Sequence, residues 1–173
     1  MKYYTDELWS KMNSDSFEKQ HEADIDWDSN RTAYREQIKT LENRLSKKVY
    51  DHHINKGFHD YRLHDFKIIH GKVGFKDTIK VEIVLLDYDE FWKITYTSVT
   101  KIQVNYACQD ERRGFDDFGY EEILSVDEDT LSHEILFASG AIILVHFKNK
   151  KMSITKLKKD FLKTRSESKE IEG

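Results

Sequence analysis

Five apolar residues, Tyr34, Ile38, Leu41, Leu45 and Val49, recur at spacings of four, three, four and four, with charges on the opposite face. That is the stripe of an amphipathic helix. It predicts a long helix over roughly residues 30–56, capped by Ser29 or Asn30 and stopped at Gly57. Thr5, Asp6 and Glu7 ahead of Leu8, Trp9 and Met12 predict a shorter helix starting near Thr5. Residues 13–28 mix Ser, Asp and Asn with Phe17, Ile25 and Trp27 and read as a short helix or a loop.

After Gly57 the period changes from three or four to two. Strands are expected at 63–70, 77–86 (with Ile79, Val81, Ile83 and Leu85 on one face), 91–98 and 99–107, the last two as one bent strand. Three more follow at 119–126, 131–138 and 141–148, with Ser139-Gly140 as a hairpin signal and 149–155 as a short edge strand. Helices first and consecutive strands afterwards predict an α+β fold. The expected architecture is the long amphipathic helix packed on a mostly antiparallel, curled sheet of six or seven strands. One compact domain would comprise a helical region 1–57, a β region 58–155, and a basic short helix with a disordered tail over 156–173.

Composition changes this picture in three places. Charged residues make up 35 %, but 10 Phe, 9 Tyr and 3 Trp supply enough buriable area for a packed core. With no Pro and 7 Gly, tight turns fall to Asp, Asn and Ser. Cys108 is the only cysteine, which excludes an internal disulfide and a Cys-rich zinc site and suits a reducing cytoplasm. The start, MKYYTDELWSKM, lacks the apolar core of a signal peptide, and the longest strongly apolar runs, 83–86 and 142–145, fall far short of a membrane helix. A cytoplasmic protein without a membrane partner is expected.

The net charge of −4 is uneven: residues 148–165 hold eight Lys or Arg against Asp160 alone, and the rest is acidic. A nucleic-acid contact through that segment is disfavoured, because the acidic body would repel a polyanion. A solvated face, or a clasp onto the protein's own acidic surface, fits better.

Candidate chemistry is sparse. The stretch DHHINKGFHDYRLHDF carries His52, His53, His59 and His64 with Asp60 and Asp65, a set that could serve a metal-dependent hydrolase. It lacks an HExxH or a fixed HxH spacing. The plainer reading puts His52 and His53 at a helix C-terminus, where a partly cationic ring favours the dipole, and His64 and Asp65 at a strand start. Cys108 has no Cys-His motif around it, the serines lack a nucleophile elbow, and no Gly-rich phosphate loop can be assembled. Carboxylate pairs such as Glu121/Glu122 and Asp116/Asp117 are plentiful, and nothing selects one for acid/base work. No cofactor, no metal site and no catalytic residue is expected.

Acidic loops interleaved with aromatics are the more informative feature. Asp87, Tyr88, Asp89 and Glu90 form one polar turn, and Asp110, Glu111, Phe115, Asp116, Asp117 and Phe118 lie in a second acidic segment. Such surfaces steer and anchor basic protein partners. The plainer alternative is that the loops are merely polar and their aromatics return to the core.

The opening MKYYTDELW, the charged helical region with Trp27 and Tyr34, the LHDFKI strand start, IKVEIVLL, WKITYTSVTKI, GYEEILSV and the closing HEILFASGAIILVHF resemble a group of small proteins of low-GC Gram-positive bacteria. The resemblance spans roughly residues 1–155 and implies a helical N-terminus on a β-rich half. The group has no agreed activity, but some proteins of similar architecture act as immunity proteins that neutralise a cognate toxin. The resulting expectation is a non-enzymatic protein-binding module, an immunity-type partner of a basic toxin or nuclease, with the metal-dependent hydrolase as the alternative.

Overall fold

Thr5 and Ser16 open the first two helices by the same chemistry, each side chain accepting a backbone N–H of the first turn (Leu8 N at 3.2 Å, Lys19 N at 3.4 Å). The computed structural model describes residues 1–71, 78–107 and 114–158. Within them α1 spans Asp6–Met12, α2 Phe17–Lys39 and α3 Lys47–Asn55, with a 3-10 turn, Glu42–Arg44, between α2 and α3. The strands are β1 (Arg62–Ile69), β2 (Lys80–Asp87), β3 (Glu90–Tyr96), β4 (Val99–Asn105), β5 (Phe118–Ser125), β6 (Thr130–Phe137), β7 (Ile142–Lys148) and β8 (Met152–Leu157).

The fold is α+β, with two antiparallel four-stranded sheets. One has the order β1-β2-β3-β8 and the other β4-β7-β6-β5. The chain changes sheet within two residues after β3, where Thr97 donates to Lys151 O and Ser98 takes a positive φ of 51°. It changes back between β7 and β8, so Tyr96 pairs with Met152 in one sheet and Val99 with Phe147 in the other. At the opposite edges, Arg62 and Asp117 form an isolated bridge, and Phe118 N–H donates to Tyr61 O at 2.6 Å. That contact draws the start of β1 against the start of β5.

The helical stripe faces inward as its spacing requires. Tyr34, Ile38, Leu41, Leu45 and Val49 are all buried, in one cluster with Val81, Ile83, Leu85 and Ile94 of the first sheet and Ile123, Ile135, Ile143 and Phe147 of the second. Burial of this kind, at about 25 cal/mol per Å² of apolar area, is the main stabilising term.

Four expectations are corrected. The helix of 30–56 is two helices. Ser46 caps α3 by accepting Val49 N–H, and the intervening turn lets Arg44 donate to Asn149, Ser125, Asp127 O and Thr130 O, which a continuous helix would not place together. Residues 17–28 belong to α2. They showed no stripe because much of this helix is solvated, with Phe17 81 % and Ile25 60 % exposed. Eight strands in two sheets replace a single curled sheet of six or seven, because the corner at Thr97-Ser98 splits what alternation alone reads as continuous. Lys156 and Leu157 extend β8 instead of starting a helix. Cys108, Asp110, Glu111 and the tail after Lys158 lie outside the described residues.

Candidate functional site

The described parts of the two acidic segments converge. Asp87 and Tyr88 close the β2–β3 hairpin, where Asp87 pairs with Glu90, and Asp117 is carried to the same place by its bridge to Arg62. Together with Asp60 and Leu86 they line a depression of about 390 Å³. Tyr88 is 97 % exposed, with φ 49°. A large side chain held in the left-handed region at a fully solvated tip is uncommon and contributes nothing to the core. Asp60 (φ 69°) and Asp116 (φ 63°) are also left-handed, a region that short acidic side chains tolerate better.

Much of this charge is already matched. Glu90 meets Lys156 at 2.5 Å and Lys56 at 3.8 Å, and Asp117 meets Arg62 at 3.0 Å. Lys156 thus clasps the chain's own acidic turn. The aromatic residues of the second segment turn toward the core: Phe118 is 1 % exposed inside it, and half-buried Phe115 stacks on Tyr106 and meets Phe137 edge-on. Phe118 is therefore corrected from a surface contact to a core residue, because it begins a strand whose inward face it occupies.

The histidine-rich segment diverges. His52 Nε2–H donates to Gly57 O at 3.0 Å, its ring lies on Phe58 and Trp92, and burial lowers its pKa below 6.5. His59 pairs with Asp60 at 2.9 Å, and His64 packs edge-on against Phe91. Among the described residues no group of three or more His, Cys, Asp or Glu is arranged to hold a metal ion.

His53 instead joins a buried network that sequence reasoning missed. Ile123 is on the edge strand β5, and its N–H, which would otherwise lack a partner, donates to Tyr34 Oη at 2.7 Å. Tyr34 Oη–H reaches His53 Nε2 at 2.7 Å, and His53 Nδ1 lies 3.4 Å from Glu121 Oε1. The other carboxylate oxygen accepts from His133 Nε2 at 2.7 Å, and His133 Nδ1 accepts from Tyr96 Oη–H at 2.6 Å. The order Tyr34–His53–Glu121–His133–Tyr96 links α2, α3, β5, β6 and β3, and therefore both sheets.

In this arrangement each donor has an acceptor. Burial opposes ionisation of Glu121, but His53 and His133 outweigh it and hold the carboxyl well below the usual carboxylate range. Burial raises Tyr34 and Tyr96 well above 10, so both remain phenols and donors. The sequence marked Tyr34 in the apolar stripe, His53 in the histidine-rich stretch and the Glu121-Glu122 pair, whose members point to opposite faces of β5, but nothing in it joined them.

Glu121 and His53 also line a second cavity, of about 230 Å³, walled by Tyr4, Trp27 and Tyr120 and rimmed by Arg31 and Arg35. Among the described residues no helix is long and apolar enough to cross a membrane. No family model and no curated protein matches the chain.

Proposed function

We propose that this protein is a non-enzymatic binding module for a basic protein partner, with the hairpin tip around Asp87 and Tyr88 as its contact surface. The observation that carries the reading is Tyr88, 97 % exposed and in a left-handed conformation between Asp87 and Asp89. Backbone strain of this kind collects at functional positions, and tyrosine is a preferred interface anchor. Asp87, in a depression also lined by Asp60 and by the Arg62–Asp117 pair, supplies a charge that steers a basic surface toward it. Since Glu90 and Asp117 are already ion-paired, the contact centres on Asp87 and Tyr88 rather than on all the acids of both segments. An immunity-type protein facing a basic toxin or nuclease is the functional class this suits.

The reading is tested by capture from nuclease-treated host lysate, comparing the native chain with Tyr88→Ser/Asp87→Asn. A single protein retained near stoichiometrically by the native chain, weakened by salt and lost with the double variant, is the expected outcome. Equal retention by the variant, or no retained protein, refutes it.

A further inference from the structure

A cleft between α2 and α3, distinct from the hairpin tip, combines three kinds of group. One wall is aromatic: Trp27 and Tyr120 lie with ring centroids 4.3 Å apart, both half-buried and both lining the cavity. The rim is cationic: Arg31 and Arg35 are one helical turn apart on α2 and project from the same face. Arg31 meets Asp28 at 3.1 Å on the exposed helix surface, whereas Arg35 has no ion-pair partner among the described residues. The floor is a carboxylate, Glu121, about nine-tenths buried. Its Oε2 accepts from His133, and Oε1, approached by His53 at 3.4 Å, keeps a lone pair that can accept a further donor.

Gly57 borders that oxygen. A side chain built on Gly57 would lie 3.4 Å from Glu121 Oε1, and the residue's φ of +64° disfavours any other amino acid there. Gly57 therefore leaves the carboxylate edge uncovered at the cavity floor. At about 230 Å³ the space is below the roughly 300–1,000 Å³ of pockets for drug-sized ligands, and it suits a single ring system.

A planar ring for the aromatic wall, an N–H donor for Glu121 Oε1 and an anionic group for Arg31 and Arg35 together describe one kind of molecule. We propose that this cleft binds a nucleoside monophosphate, its base lying against Trp27 and Tyr120 and donating to Glu121, its phosphate at Arg31 and Arg35. Stacking on an aromatic side chain and hydrogen bonding along the base edge are the standard means of reading an unpaired base. The arginine pair matches phosphate geometry better than lysines would. This site rests on observations independent of the binding surface around Tyr88, so either can fail alone.

The test is titration of the intact chain with GMP, AMP, CMP and UMP, followed by tryptophan fluorescence and calorimetry, with inorganic phosphate and a short single-stranded oligonucleotide in parallel. At least one mononucleotide is expected to bind saturably and quench the tryptophan emission. Trp27→Leu should remove the quench, and Arg35→Glu, at an exposed position that leaves the fold intact by circular dichroism, should weaken binding about tenfold or more. Inorganic phosphate binding as tightly as the nucleotides would overturn the ring contact. Binding of the oligonucleotide alone, or of none of the four nucleotides at millimolar concentration, would overturn the proposal. Unchanged affinity in a folded Arg35→Glu variant would overturn the assignment of the phosphate.

Discussion

Glu122 of β5 and Glu134 of β6 stand directly opposite each other in the antiparallel register. Two carboxylates so placed repel. The N-terminal segment supplies the compensation. The backbone N–H groups of Lys2, Tyr3 and Tyr4 all donate to the buried Glu122 carboxylate, at 2.6–2.7 Å, and the Met1 ammonium meets Glu134 at 2.8 Å. Tyr4, fixed by this contact, packs on Trp27, Tyr34 and Tyr120, and burial together with Glu122 raises its pKa to about 12. Glu122 thus holds the segment that completes the aromatic wall.

Replacing Glu122 with Ala leaves three backbone donors without their acceptor. From the cost of unmade hydrogen bonds to charged groups, a destabilisation of about 3 kcal/mol or more is expected in urea unfolding, with Gln intermediate because its amide oxygen still accepts. An unchanged midpoint for Glu122→Ala would show that the N-terminal segment contributes little to the fold.

Arg44 gives the clearest account of why the predicted long helix breaks. Its guanidinium donates to Asn149 Oδ1, Ser125 Oγ, Asp127 O and Thr130 O at 2.6–3.0 Å, and its own carbonyl accepts Lys150 N–H. One residue thereby ties the β5–β6 turn to the β7–β8 turn. Arg44→Ala is expected to lose about 2–3 kcal/mol, and Arg44→Lys to recover little, since an ammonium cannot span the same set of acceptors. Full rescue by lysine would mean that charge alone matters there.

How much of this was legible in the sequence depended on whether the signal was local. The stripe Tyr34 to Val49 and the alternation of Val81, Ile83 and Leu85 marked the buried faces because burial follows periodicity. Ser46 could have marked the break as an N-cap, but the stripe runs through it without a phase change, so the apolar positions alone favour continuity. Sheet membership was not legible: β3 and β4 alternate alike, and only the partners of Tyr96 and Val99 divide them. At the candidate sites, the convergence of Asp87 with Asp117 and the pairing of His53 with Glu121 both arise from tertiary contact. Nothing local distinguishes those residues from their neighbours.

The two ends of the buried network should differ in cost. Tyr96→Phe removes one donor and leaves His133 Nδ1 unpaired in a fully buried site, an effect of about 1–3 kcal/mol. Tyr34→Phe removes the bond to His53 and also the acceptor of Ile123 N–H. Tyr34→Phe is therefore expected to be the more destabilising, as measured by thermal or urea unfolding, and to speed hydrogen exchange at the Ile123 amide. The reverse order would place the weight of the network on the sheet-to-sheet link instead of on the cap of the β5 edge.

The acid limb of stability should carry the signature of Glu121. Its folded-state pKa lies below the ordinary 4.5, so the unfolded chain takes up its proton first as pH falls. The stabilisation is fully present above that ordinary value and is lost progressively as pH drops below it. Glu82 and Asp127, also lowered, act in the same direction at the surface. His52 and His146, held below 6.5 by burial, resist protonation in the folded state, so they begin to erode stability already as pH falls below 6.5. Unfolding free energy is therefore expected to decline in two stages on acidification. Glu121→Gln should lower stability at pH 7 and flatten the stage below pH 4.5, while His52→Gln should flatten only the stage nearer neutrality. A Glu121→Gln profile parallel to the native one throughout would show that this carboxylate is not ionised within the network.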